Sequence, residues 1–414
     1  MRRRSDPARS AGFSDRARAK PAFAGSALAA DTAWRRILVL ASAVGFFEAL
    51  SFSVLAPLLP AFEEELGLSK ASAGLLTSAY AAGAFVGALP SIWAARRFGV
   101  KATVLAGLIL LAVSSAAFTF PDSAWLVFAA RAGQGAGSAF AYTGALTWLT
   151  AVAPPGRRGE AIGVAFAATF SGELVGPLVG AAAAWVGLAV VFSLVAALAV
   201  LVAAAAATIP EPPPVDGVRT PSLRALVSNR VVRLSAWLIA LTALLLGVLG
   251  VLAPLRLDEL GWGAGAIGAV FAVAALLQAT VNPAVGRAAD ARGDTLLLRA
   301  GLILSGVASL LLVLDGRALV YAAIVVAAAV AYATLWTPAV ALLTQTLDRH
   351  GFDQAFGFGL MSAAWPPGFA IGAAAGGALA GATRDMWPYV LAAVVCLLSL
   401  PLLGGTSPRA DSGR

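Results

Sequence analysis

Cysteine and histidine are nearly missing from this chain, with one of each among 414 residues. The lone Cys396 excludes a disulfide framework and a thiolate metal site. The lone His350 stands beside Asp348 and Arg349 in a polar gap, where a solvated loop position is expected rather than a ligand or a base. There is no Asp-rich or Cys-x-x-Cys cluster, so neither a metal nor a cofactor is expected and the sequence argues against a membrane enzyme. Charge is scarce as well. Asp, Glu, Lys and Arg make up 12% of the chain, against about 25% in soluble domains. Mean hydropathy is +0.86. A soluble fold of this composition would leave apolar surface that no single core could bury, so the chain reads as a polytopic membrane protein.

Apolar runs dominate what remains. Twelve can be laid out, at about 37–60, 72–95, 101–120, 124–153, 160–184, 186–209, 232–256, 264–288, 296–314, 318–346, 354–381 and 386–405. Each approaches the ~20 apolar residues that cross a bilayer as a helix. The alternating pattern of a barrel is absent, and only helices then satisfy so many backbone groups in lipid. The expected fold is an all-α membrane protein of twelve transmembrane helices in two six-helix bundles.

Residues 1–36 are basic and read as a disordered cytoplasmic tail, followed by a bundle over 37–209. A linker at 210–231, rich in Pro and Arg, breaks the helical pattern before a second bundle over 232–405 and a tail at 406–414. Placing both termini in the cytoplasm leaves only Lys70, Arg256, Arg317 and Arg384 outside, with Arg131 inside a span. Glu63, Glu64, Glu65, Asp122, Asp258, Glu259, Asp315 and Asp385 fall on the outer side, which fits the positive-inside rule for a bacterial inner membrane. The net charge of +8 follows these loops, so anionic lipid rather than nucleic acid is the expected partner.

The halves repeat. LGLSKASAG at 66–74 corresponds to LGWGAGAIG at 260–268, an offset of 194 residues. Two parallel six-span repeats joined by a basic loop describe a transporter whose substrate site lies at their interface. Inside the first run, Glu48 has no counter-charge nearby in sequence. A carboxylate near mid-membrane costs at least ~2.5 kcal/mol, which marks it as a functional candidate.

Several motifs resemble those of the major facilitator superfamily, over roughly residues 34–405. The family's loop pattern G-x-x-x-D-R-x-G-R/K-R/K is kept in the second half by Gly286, Asp290 and Gly293. In the first half Arg97, Gly99 and Lys101 match, but Ile92 and Arg96 stand at the glycine and the acid. The reversed charge leaves open whether these residues latch a conformation or only set orientation. The fourth span opens with RAGQGAGSA, in which Arg131 and Gly135 match R-x-x-x-G-x-x-x-G and Ala139 replaces the last glycine.

The fifth span, GVAFAATFSGELVGPLVGA, resembles the antiporter motif G-x8-G-x3-G-P-x2-G-G at Gly163, Gly172, Gly176, Pro177 and Gly180, with Ala181 as the departure. Gly172, Gly176 and Gly180 line one helix face for close approach of another helix, and Pro177 bends the helix. In the family this motif accompanies exporters that exchange substrate for protons. Glu48 precedes Pro57 by nine residues, which is similar to the first span of drug–proton antiporters.

The resemblance therefore implies a proton-coupled exporter of small hydrophobic or amphipathic compounds, working as a monomer in the bilayer. The expected coupling group is Glu48 facing Arg131, although Arg131 bonded to backbone carbonyls is the structural alternative. Glu173 inside the motif is either a second proton or cation site or a group bonded to a neighbouring helix. Tyr80, Gln134, Tyr142 and Trp148, with Gln278, Tyr332, Trp336 and Trp365, are the candidate cavity residues. The other open reading is an importer or facilitator of a small metabolite or organic anion, with Arg131 as its counter-ion. A membrane sensor without transport would not need acids in the first and fifth spans.

Overall fold

The computed structural model describes residues 23–120, 123–154, 157–211, 228–314, 316–349 and 354–404. The first span is broken. Helix α1 runs Phe23–Ser53, a 3-10 turn follows at Ala56–Leu58, and α2 runs Leu59–Leu66. Pro57 and Pro60 explain the break, since neither donates a backbone hydrogen bond and each clashes with the carbonyl one turn earlier. The remaining helices of the first half are α3 (Lys70–Phe98), α4 (Val100–Ala117), α5 (Ala124–Val152), α6 (Arg158–Val186) and α7 (Leu188–Ala207). The second half contains α8 (Arg230–Glu259), α9 (Ala264–Arg292), α10 (Asp294–Leu311), α11 (Ala318–Arg349), α12 (Gln354–Ala382) and α13 (Met386–Ser399).

One boundary differs from the sequence reading. Helix α1 starts at Phe23, not at the apolar run, so part of the expected tail is helical. The stretch AFAGSALAADTAWRR is rich in alanine, the best helix former, and has no proline after Pro21. Residues 1–22, most of the linker, His350, Asp122, Asp315 and the C-terminal tail lie outside the described residues.

The repeat is visible in the helix bounds. Helices α3 and α9 each have 29 residues and α4 and α10 each have 18, and both pairs are offset by the 194 residues read from sequence. Gly99 and Gly293 sit at equivalent breaks with φ of 90° and 86°. That backbone region is open to glycine at little cost, so both loops turn sharply at the motif glycine.

Ten helices among the described residues are long and apolar enough to cross a membrane. The other two long helices, α5 and α12, are diluted by glycine and alanine, and α5 also carries Arg131 and Gln134. Side chains such as Leu194, Leu201, Leu319 and Leu398 are exposed on the outside of the bundle. In lipid such apolar faces are solvated, which is why charge is spared for the ends. Helix α8 is the most enclosed, packing on α11 and α12 with buried residues over nearly its whole length.

At the end where α3 begins and α8 and α12 finish, the halves are fastened together. Lys70 Nζ reaches Asp385 at 2.7 Å and Glu259 at 2.9 Å, both in the second half. Beside this clasp, a Cβ on Gly74 would lie 3.1 Å from the Gly377 Cα, so the α3 and α12 backbones touch there. Arg256 reaches Glu259 at 2.9 Å.

Candidate functional site

The antiporter-motif glycines seat α6 on α1, the helix that carries Glu48. A Cβ on Gly172 would lie 3.0 Å from the Phe46 Cα, one on Gly176 would lie 2.8 Å from the Leu50 carbonyl, and one on Gly180 would meet Val54 and Pro57. Gly163 does not join this seam, because nothing lies within 4 Å of its Cβ position. The other side of α6 meets the second half at α9, where Gly268 lies against the Pro177 carbonyl and the Ala181 methyl. Ala181, the departure from the motif, therefore faces a glycine on its partner.

This seam brings Glu48 and Glu173 together, close enough for their charges to interact. The Glu48 carboxylate has the Ser138 hydroxyl of α5 as a hydrogen-bond partner. Tyr80 of α3 donates to the Glu48 backbone carbonyl at 3.1 Å. Tyr142, hydrogen-bonded to Thr169, stands near the same carboxylate. Among the described residues no cation pairs with either acid.

Arg131 does not pair with Glu48 in this structure and follows the other reading open from sequence, an arginine bonded to backbone carbonyls. Its guanidinium donates to the carbonyls of Ser51 and Phe52 and, at 3.0 Å, to Gln134 Oε1. It also lies 4.6 Å over the Tyr80 ring. The cause is the break after Ser53. The last four carbonyls of a helix have no intrahelical donor, and those of α1 would be stranded in the bundle interior. Leu50 is served by Val54 N–H at 3.0 Å, and Arg131 serves the next two from a neighbouring helix. A cation at a helix C-terminus is also favoured by the helix dipole.

Between the halves lies a cavity of about 780 Å³, counting the part open to solvent. Glu173, Arg131, Gln278 and Trp365 line it, together with Phe52, Phe271 and Phe369. Phe52 from the first half meets Trp365 at 5.1 Å and Phe369 at 4.8 Å, both edge-on. Trp365 and Phe369 are stacked at 5.2 Å and 16°. Tyr80 continues the array at 5.5 Å from Phe52.

Four candidates lie elsewhere. Gln134 is fully buried and bonds Arg131 and, at 3.1 Å, Ser115. Tyr332 is buried with its hydroxyl 2.8 Å from Ser309. Trp148 is fully buried in a second core cluster with Trp34, and Trp336 packs against the main core. Their polar ends or large rings are absorbed by helix packing. The sequence reading missed Phe52 and Phe369. Their signal is weak, because single phenylalanines are ordinary in lipid-facing spans, but Phe369 is one turn after Trp365 and Phe52 one turn after Glu48.

The loop-motif residues divide similarly. Arg96 and Arg97 are exposed, while Lys101 Nζ donates to the Ala207 carbonyl at 2.6 Å and so caps α7. A Cβ on Gly286 would lie 3.4 Å from the Thr337 Cγ2, ordinary contact within the second half. Asp290 lies on α9, and its side chain is outside the described set.

The family model "Major Facilitator Superfamily" matches residues 41–255 and 236–413. A multi-drug resistance efflux pump PmrA homolog of Lactococcus lactis is 30% identical over 41% of this chain and 42% of its own length. The tetracenomycin C resistance and export protein of Streptomyces glaucescens is 31% identical over 45% of this chain and 36% of its own. An MFS-type transporter ppzB of Metarhizium rileyi is 32% identical over 33% of this chain and 30% of its own. The chain thus spans about a third of the length of the curated relatives it matches. In fold it is similar to a D-xylose–proton symporter, with a TM-score of 0.71 at 16% identity, covering 88% of this chain and 96% of that one. A POT family transporter is similar at a TM-score of 0.70 and 14% identity, over 90% and 96% of the two chains.

Proposed function

Because the chain belongs to the Major Facilitator Superfamily, we propose that it is a proton-coupled exporter of small hydrophobic or amphipathic compounds, working by alternating access as a monomer in the bacterial plasma membrane with both termini cytoplasmic. One observation carries the proposal. Two acids, Glu48 and Glu173, meet in the interior of the first half with no base paired to them among the described residues, and one of them opens onto the cavity between the halves. Two carboxylates in a low-dielectric interior repel each other, so the pair favours holding a proton or another cation. Glu48 would take its proton from outside and give it up inside, with cargo moving the other way.

Coupling requires that proton and cargo favour different states of the bundle. Each proton moved inward supplies about 2.3 kcal/mol per 100 mV, plus any pH gradient. The drug-efflux and export names of the Lactococcus and Streptomyces relatives support export. An anion importer would need Arg131 to meet its ligand, whereas the guanidinium is engaged at the end of α1.

The test is transport by purified protein in liposomes with an imposed pH gradient, scanned over a panel of hydrophobic and amphipathic compounds. Glu48→Gln should abolish gradient-driven flux while the protein still inserts and stays monodisperse. Full flux by that variant would sink the proposal.

A further inference from the structure

Helix α3 carries an exposed apolar stripe that ends in charge. Val86, Leu89 and Trp93 follow one another at helical spacing, with Leu89 78% and Trp93 60% exposed. Side chains three and four apart share a helix face, so the stripe continues onto Arg96 and Arg97, both exposed. Phe98 closes it, edge-on to Trp93 at 5.4 Å. From Val86 to Arg97 the stripe is about 16 Å long at 1.5 Å per residue. That is close to the depth of one leaflet of a ~30 Å hydrocarbon core. An exposed tryptophan beside bases suits the membrane–water boundary.

Neither arginine has a hydrogen-bond or ion-pair partner among the described residues. The Glu211 carboxylate covers Gly99, but no ion pair joins it to Arg96 or Arg97. With Lys101 also on this loop, the bases outnumber that acid and leave this end of α3 positive. The second half supplies an internal comparison. The 194-residue offset places Gly286, Arg287, Asp290 and Arg292 at the positions of Ile92, Trp93, Arg96 and Phe98. There the aromatic pair is gone and an acid stands among the bases. The equivalent loop therefore has neither the apolar bed nor charge of a single sign.

We propose that this end of α3 binds an anionic phospholipid, its phosphate held by Arg96 and Arg97 and an acyl chain laid along Trp93, Leu89 and Val86. Guanidinium groups pair with phosphate oxygens in a forked geometry. A zwitterionic lipid brings an ammonium that the two arginines repel, and a soluble phosphate ester has no chain for the stripe. The proposal needs only that α3 crosses a bilayer, and it stands apart from proton coupling and export.

The test is native mass spectrometry of the purified full chain in detergent, titrated with phosphatidylglycerol or phosphatidylethanolamine of identical acyl chains. Phosphatidylglycerol should bind severalfold more tightly, and Arg96→Gln combined with Arg97→Gln should erase that preference. Lysine at both positions should keep most of it, which separates loss of charge from loss of fold. Trp93→Ala should weaken both lipids alike. Arg287→Gln, which removes an exposed base from the equivalent loop of the second half, should change nothing. Glycerophosphate, a headgroup without chains, should not displace the lipid. The proposal is overturned if the parent does not prefer phosphatidylglycerol or if the double glutamine variant keeps the preference. It is equally overturned if Arg287→Gln loses the preference as fully, or if glycerophosphate competes.

Discussion

Gly163 and Gly172 belong to the same motif on the same helix, and the structure assigns them opposite tolerance. Gly→Ala in a helix interior gains up to ~1 kcal/mol from backbone entropy and propensity. At Gly163 nothing opposes that gain, since the site is exposed and its Cβ position is empty to 4 Å. At Gly172 the new methyl would lie 2.8 Å from the Phe46 carbonyl carbon and 3.0 Å from its Cα, closer than real Cβ contacts. The obstacle is backbone, so no rotamer change relieves it and α1 must move away. Overpacking of this kind costs about 1–3 kcal/mol, which leaves Gly172→Ala destabilised by roughly 0–2 kcal/mol after the helix gain.

The displacement also falls beside Glu48 and Glu173, so flux should suffer more than stability. Thermal unfolding in detergent, followed by size-exclusion recovery, gives the first readout. At roughly 2–4 °C per kcal/mol for a bundle the size of one half, Gly172→Ala should melt up to several degrees below the parent and Gly163→Ala at or above it. Gradient-driven flux gives the second, with Gly172→Ala impaired and Gly163→Ala unchanged. Equal behaviour of the two variants, or greater damage at Gly163, would refute the seam.

Other expectations follow from single contacts. Arg131→Lys replaces a fork that spans two carbonyls by one ammonium, so about 1–3 kcal/mol should be lost for each buried carbonyl left bare; the readout is melting temperature. Combined with Glu48→Gln the losses should add, whereas a direct Arg131–Glu48 pair would show a coupling of 0.5 kcal/mol or more in the double-mutant cycle. Lys70→Met removes both cross-half ion pairs. Lys70 is 24% and Glu259 41% exposed, so the pairs contribute on the order of 1 kcal/mol, and maleimide labelling of a cysteine placed at the buried Ala73 should rise severalfold. Unchanged labelling would mean the clasp does not hold that end shut.

Much of the architecture was legible because hydropathy and spacing are local signals. The apolar runs, the basic break near residue 210 and the 194-residue repeat each need no knowledge of packing. The glycine face of α6 was legible too, since four-residue spacing fixes a face whatever it meets. Arg131 was legible only as a choice between two partners, because the carbonyls it serves are freed by a break elsewhere in the chain. Pro57 and Pro60 did carry that information: prolines inside a span imply stranded carbonyls, and a buried arginine is a natural donor for them. Gln134 and Tyr332 show the opposite failure. A polar side chain within a span reads the same in sequence whether it lines a cavity or, as here, bonds Ser115 or Ser309 inside the packing.

The contact between Ala181 and Gly268 ties two positions in different halves into one steric sum. Alanine at 181 fills space that the motif's usual glycine leaves empty, and glycine at 268 gives that space back. The two sites should therefore vary together across related sequences, small against large, although they are far apart in the chain. Ala181→Gly should lower the cost of Gly268→Ala without abolishing it, since the Pro177 carbonyl still lies 2.7 Å from the new methyl, and that partial relief locates a joint between the halves.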